Sequence, residues 1–178
     1  MKIKTVGIAG TGLIGAGWAA RLLIRGIDVI AYDVSPKAEA NLKAAIKVAW
    51  PSMEKLLGKP KKKGKLSFTT DLSVMASKAQ FIHEAAPERK DLKIKLFKDI
   101  DAIAKPDVII SSSSSGFLPT DLQSECKHPE RVIIGHPFNP VYLLPLVETV
   151  PGKQTSKETM VCQPSPAHGA SEAAAPFT

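Results

Sequence analysis

Cysteine, aromatic side chains and long apolar runs are all scarce in this chain, and each scarcity closes off a class of protein. Only two cysteines occur, Cys126 and Cys162. They have neither the spacing of metal ligands nor the dense, even pattern of a disulfide scaffold, so both are expected to be plain reduced thiols, and no metal site is expected. No apolar run approaches the roughly 20 residues that a bilayer-spanning helix needs. Strand character already begins at Ile3, which leaves no room for a cleaved leader, so a cytoplasmic protein working away from membranes is expected. Aromatic residues make up 6% of the chain, and none is interleaved with its main basic cluster, Lys59, Lys61, Lys62, Lys63 and Lys65. That cluster supplies much of the net charge of +7, but Pro60 and Gly64 break it into a solvated turn, and no base-reading motif accompanies it. No nucleic-acid partner is therefore expected, although a phosphate-rich ligand is compatible with the same positive field. No repeat of solenoid length is visible.

What the chain does contain is enough apolar material for one substantial core: 178 residues, 44% of them hydrophobic, a length that suits one α/β domain. The most informative segment is Gly10-Thr11-Gly12-Leu13-Ile14-Gly15. It follows a buried-strand run at 3–9 and opens a helix at 13–26 that carries Leu13, Ala16, Ala20, Leu23 and Ile24 at helical spacing. A second strand, 27–33, ends in Asp33. In this context the three glycines have separate duties: Gly10 for a tight turn, Gly12 for close approach of backbone to a pyrophosphate, and Gly15 for close packing of helix on strand. The N–H groups at the helix start then face the phosphates. An acid at 33 accepts hydrogen bonds from a ribose 2′-hydroxyl and repels a 2′-phosphate, and Val34, Ser35 and Pro36 include no arginine to hold one. NAD is expected rather than NADP. Asp33 is equally placed to cap a helix starting near Pro36.

Beyond this point the alternation continues. A long surface helix is expected at 36–57, a strand at 66–69, and a short helix at 71–77 capped by Asp71. A strand at 81–85 precedes a helix at 88–103, with Leu92, Leu96, Ile100 and Ile103 on one face. A strand at 108–110 leads into the serine run 111–115; a short helix at 119–123, a strand at 132–134 and strand-like composition at 143–147 complete the pattern. Repeated β-α-β units predict a Rossmann-type, doubly wound and mostly parallel sheet. We assign the dinucleotide-binding domain to residues 1–150. From 151 to 178 the sequence is polar, Pro- and Ala-rich and without apolar period, so a disordered tail is expected there, with His168 a solvated residue in it.

Three residues sit where ligands lie in such a sheet, beyond the carboxyl ends of strands: Ser115, His136 and Glu148. Oxidising a secondary alcohol needs a base for the hydroxyl proton, and imidazole suits that task. His136 is the candidate, with Glu148 to hold the ring if the chain folds back at Asn139-Pro140, and Ser115 to hydrogen-bond the substrate oxygen. On spacing alone the ordinary alternatives stand: His136 ending a strand, Glu148 a surface acid, Ser111 to Ser115 loop filler. His83 beside Glu84 reads as structural and His128 before Pro129 as a turn residue. The serines lack the G-x-S-x-G elbow of a hydrolase.

The fingerprint with Asp33, the segments Glu84-Ala85-Ala86-Pro87-Glu88 and Ser112-Ser113-Ser114-Ser115-Gly116, and His136-Pro137-Phe138-Asn139-Pro140 followed by Pro145-Leu146-Val147-Glu148 resemble the 3-hydroxyacyl-CoA dehydrogenase family over about residues 3 to 150. Within it, Gly116 to Asp121 and Gly135 to Leu146 are most similar to the branch acting on L-carnitine, then to the L-gulonate branch. The resemblance implies NAD as cofactor, held by Gly10, Thr11, Gly12, Leu13, Ile14, Gly15 and Asp33. It implies His136 as catalytic base, Glu148 as its partner, Ser115 as a contact for substrate and cofactor, and Glu88, Lys93 and Asn139 as further cofactor contacts. It also implies a small-molecule substrate and a homodimer. Family members continue into a C-terminal helical domain that carries most of the dimer interface; no counterpart to it is expected within these 178 residues, and residues 161–178 are expected to lie outside the resemblance.

Overall fold

The computed structural model describes residues 3–161. A seven-stranded sheet runs through the middle in the order β3-β2-β1-β4-β5-β6-β7. Its strands are β1 (Thr5–Ala9), β2 (Asp28–Tyr32), β3 (Leu66–Thr69), β4 (Phe81–Glu84), β5 (Ile109–Ser112), β6 (Val132–Pro137) and β7 (Val147–Pro151). All neighbours pair parallel except β6 and β7, which are antiparallel. This is the doubly wound arrangement expected from the β-α-β pattern. The helices are α1 (Leu13–Ile24), α2 (Ala38–Leu57), α3 (Leu72–Lys78), α4 (Lys90–Ile103), α5 (Pro119–Leu122) and α6 (Lys157–Val161).

Helices cover both faces, and each face has its own core. On one, α1 and α2 pack Trp18, Leu22, Leu42 and Met53 against Val6, Ile8 and Val29. On the other, α3 and α4 pack Met75, Phe97 and Ile100 against Ile82, Ile110 and Val132. The sequence of α1 fits its place: every residue from Gly15 to Ile24 is buried, because this helix is wedged between sheet and α2. Helix α2, at the surface, buries only Leu42, Ile46, Ala49 and Met53, a single stripe at helical spacing. Asp71 caps α3 as predicted, accepting from Ser73 N at 2.8 Å.

Two expectations need correction. The last strand is not at 143–147 but at Val147–Pro151; residues Leu143 and Leu144 instead donate their N–H groups to Pro140 O, both at 3.0 Å, in a turn. As an edge strand, β7 (Val-Glu-Thr-Val-Pro) buries only Val147 and carries a weak apolar pattern, whereas the leucines before it give the stronger apolar signal. The chain also stays ordered past 150. Thr155 Oγ1 donates to Val132 O at 2.7 Å, Ser156 N to Glu130 O at 2.8 Å, and the buried Thr159 Oγ1 to Glu130 O at 2.9 Å. Polar side chains anchor this segment, so apolar periodicity could not reveal it. Residues 162–178, with Cys162 and His168, lie outside the described residues.

Candidate active site

Strand register lines up the carboxyl ends. Tyr32, Ala9, Glu84, Ser112 and Ile134 are successive neighbours across β2, β1, β4, β5 and β6. Their successors in the chain therefore lie along one edge of the sheet: Asp33, Gly10, Ala85, Ser113, and on β6 the residues leading to His136. Between β1 and β4 the winding reverses, with α1 on one face and α4 on the other, and a crevice opens there.

At that crevice the glycines behave as their spacing implies. Gly10 has φ +97°, and a Cβ on it would sit 2.6 Å from Ala85 O, so the turn after β1 presses against the end of β4. A Cβ on Gly15 would lie 2.0 Å from Gly10 O, which fixes α1 hard against the turn. A Cβ on Gly12 would meet nothing within 4 Å. The space over the first turn of α1 is therefore open, no side chain caps that end, and no acid stands in the first turn. Unpartnered N–H groups facing an open, acid-free space form an anion receptor. Leu13 is exposed beside it and Ile14 half-buried.

Asp33 closes the nucleotide end. Its Oδ2 accepts from Thr11 N at 3.0 Å and Thr11 Oγ1 at 2.8 Å, and its Oδ1 from Ser35 N at 3.3 Å. It is tied to the glycine turn rather than capping α2, whose N-cap is Lys37 without a side-chain bond. An ionised carboxylate has about four lone-pair sites, so acceptor capacity remains for a ribose hydroxyl. These residues fit a dinucleotide.

Lys93 stands differently from its expected role. Its side chain has no exposed surface, and Nζ reaches Glu84 Oε1 at 2.7 Å, Ala86 O at 3.1 Å and Glu88 Oε2 at 3.3 Å. Three acceptors match the three N–H bonds of an ammonium. Lys93 is thus sealed behind the crevice wall rather than facing a cofactor. It acts on the crevice through Glu88, whose side chain is 43% exposed. Burial raises the Glu88 carboxyl, but the hydrogen bond from Ser114, the Lys93 charge and the N–H of Gly116 outweigh it and hold the group below its ordinary value. Ser114 Oγ and Gly116 N, the latter at 3.2 Å, both donate to Glu88 Oε1 and so clamp the chain on either side of exposed Ser115. Ser112 Oγ donates to Glu84 Oε2 at 2.5 Å. Glu84, Ser112 and Ser114 do not stand out as site residues in the sequence; all three are polar by type, and only their burial and mutual contacts mark them.

His136 and Glu148 are opposite each other in the antiparallel β6–β7 pair, with Nδ1 and Oε2 3.0 Å apart. The His136 side chain is 30% exposed and that of Glu148 60%. With Nδ1 engaged, Nε2 is left for a second partner, and the ring packs against Phe138 at 6.1 Å between centroids. A carboxylate behind an imidazole fixes its tautomer and stabilises its charged form, which is the arrangement of a general base. Asn139, on the loop after β6, is exposed. The other described histidines serve the fold: His83 is buried against Trp18, with burial and then the Lys93 charge pushing its pKa down to about 3, and His128 starts the turn at Pro129–Arg131. Burial pushes the Cys126 thiol up to about 12, so it is inert. Among the described residues, no group of three or more His, Cys, Asp or Glu could hold a metal ion, and no helix is long and apolar enough to cross a membrane.

The sequence profile described as 3-hydroxyacyl-CoA dehydrogenase, NAD binding domain, matches residues 5–163. The chain belongs to the 3-hydroxyacyl-CoA dehydrogenase family. Its matched region is the NAD-binding domain of that family, and NAD is its cofactor. Among curated relatives, L-carnitine dehydrogenase of Pseudomonas aeruginosa is 49% identical over 160 residues, 89% of this chain and 50% of the relative. L-carnitine dehydrogenase of Bacillus cereus is 47% identical over 160 residues, 89% and 49% of the two chains. The chain spans about half the length of the curated relatives it matches. Among solved structures, (S)-3-hydroxybutyryl-CoA dehydrogenase of Ralstonia eutropha superposes with a TM-score of 0.79 at 31% identity, covering 89% of this chain and 57% of that one. The NAD+-dependent 5-formyl-3-hydroxy-2-methylpyridine 4-carboxylic acid 5-dehydrogenase gives 0.81 at 33% identity, covering 89% and 52%.

Proposed function

We propose that this chain is the cofactor-binding half of a dehydrogenase that oxidises a small 3-hydroxy acid, L-carnitine in the first instance, to the 3-keto acid. The glycine turn and Asp33 hold the dinucleotide, with Glu88, Ser115 and Asn139 lining the crevice. NAD, when bound, supplies the hydride acceptor. His136 Nε2 takes the hydroxyl proton while Nδ1–H stays donated to Glu148, whose charge stabilises the imidazolium so formed. Ser115 hydrogen-bonds the substrate oxygen and fixes its orientation. The names of the relatives support carnitine as substrate. Action in the cytoplasm, by a homodimer, completes the proposal, and fractionation and sedimentation test those two parts.

The observation that carries this reading is the His136–Glu148 pair at 3.0 Å, on the strand next to the serine loop. Mixing the chain with NAD and L-carnitine should generate the absorbance of reduced cofactor. His136→Ala should lower kcat by about 10²–10⁴ and leave the NAD-induced rise in Tm intact; turnover equal to wild type sinks the assignment. A second reading, a module that holds NAD without turnover, is favoured by the exposure of the His136 and Glu148 side chains, 30% and 60%, which admits water to the reacting centre. It predicts a rise in Tm with NAD, lost in Gly12→Ala, and no reduced cofactor with L-carnitine, L-gulonate or a 3-hydroxyacyl-CoA.

A further inference from the structure

The lysine cluster of residues 59–65 has no part in the NAD crevice. It borders a groove of about 620 Å³ between α2, the end of α1 and the start of β3. This lies at the opposite edge of the sheet: Gly64 N donates to Leu23 O at 2.8 Å, and a Cβ on Gly64 would sit 2.0 Å from Ile27 O, just before β2 begins. The loop is thereby pinned against the α1–β2 corner, which gives Lys63 a fixed base. The floor is apolar, made by Leu23, Ile46, Trp50, Pro51 and Leu66. Lys43, Lys47 and Lys63 stand around it. Lys63 Nζ lies over the Trp50 ring at 4.4 Å from its centroid. Three acids lie near this region and all are engaged: Glu39 with Lys43 at 2.7 Å, Glu54 as acceptor for Trp50 Nε1 at 2.8 Å, and Asp28 as acceptor for Lys65 N at 2.7 Å.

We propose that this groove binds an amphipathic organic anion, an alkyl chain ending in a carboxylate. A volume in the usual range for small-molecule sites, an apolar floor and an excess of positive charge at one rim are complementary to such a molecule. The chain lies along Ile46, Trp50 and Leu66, and the head group meets Lys47 and Lys63. A polyphosphate matches the rim but leaves the floor in water; a neutral hydrocarbon does the reverse.

Decanoate titrated into the 178-residue chain tests this. Trp50 lines the groove whereas Trp18 is 4% exposed within the core, so emission should change saturably through Trp50. The change should vanish in Trp50→Phe, with calorimetry still detecting binding. Lys47→Gln with Lys63→Gln, both exposed positions, should weaken binding about fivefold. Acetate, a head without a chain, and free coenzyme A, phosphates without an acyl chain, should bind at least about tenfold more weakly than decanoate. The NAD-induced rise in Tm should be the same with and without decanoate and in the double variant. No saturation below the micellar concentration, undiminished affinity in the double variant, coenzyme A binding as tightly as decanoate, or displacement of decanoate by NAD would each overturn the proposal.

Discussion

The crevice is served by two pairs of oppositely charged or chargeable groups at nearly the same separation, and they have opposite characters. Lys93 and Glu84 meet at 2.7 Å with no exposed surface on either side chain; His136 and Glu148 meet at 3.0 Å with 30% and 60% of theirs exposed. The sealed pair is surrounded by fixed donors and acceptors, including Ser112 Oγ, Ala86 N and Ala86 O. Its charges have no route to water, so it holds shape. The open pair joins β6 to the edge strand β7 with both side chains partly exposed, so a proton can arrive and leave. One separation thus serves two purposes, and burial decides which.

Lys93→Met breaks the comparison most severely. It leaves the buried Glu84 carboxyl without its cationic partner, and loss of one partner of a buried pair costs about 3–5 kcal/mol. The urea midpoint should fall accordingly. Lys93→Met with Glu84→Gln should recover part of the loss, with a coupling of about 0.5–3 kcal/mol. If Lys93→Met alone is as stable as wild type, the pair does not prop the crevice wall.

Burial also sets the pH response. Unfolded, His83 takes a proton near its ordinary 6.5; folded, only near about 3. Between those values the unfolded chain binds more protons, so stability falls as pH falls, by up to about 1.4 kcal/mol per pH unit. The depressed carboxyl of Glu88 acts with the same sign, its contribution present above its ordinary 4.5 and lost below it. The interval from 6.5 down to 4.5 therefore belongs to His83 rather than Glu88. His83→Leu should flatten the dependence of the urea midpoint on pH there by one proton; an unchanged slope would show that His83 is not buried neutral.

The same contrast explains what could be read from residues alone. Buried parallel strands such as Thr5–Ala9 have both faces covered and give near-continuous apolar signals. The glycine turn announces itself because Gly10 and Gly15 have no steric alternative. The open pair is legible too, since His136 and Glu148 bracket the turn that folds β7 back on β6. The sealed network is not. Glu84, Lys93 and Ser112 are polar by type and would be placed at the surface by composition, and only the contacts among them show why burial is tolerated. A family resemblance makes Lys93 a cofactor contact for want of those contacts. The segment after Pro151 escapes for a related reason: Thr155, Ser156 and Thr159 anchor it by hydrogen bonds to Val132 and Glu130, which leave no apolar period.

The smallest structural effect, and the sharpest test of the open pair, comes from Glu148→Gln. Exposed ion pairs contribute about 0–1 kcal/mol, so the urea midpoint should shift by no more than about 0.5 kcal/mol in free energy. Glutamine keeps an oxygen that can accept from His136 Nδ1–H, so the ring stays oriented, but the charge that stabilises the imidazolium is gone. Glu148→Ala removes both. If charge is what matters, kcat with L-carnitine should fall in Glu148→Gln nearly as far as in Glu148→Ala, with KM little changed in either. Were Glu148→Gln to retain wild-type kcat while Glu148→Ala lost it, Glu148 would be an orienting group only, and the open pair would resemble the sealed one more closely than its exposure implies.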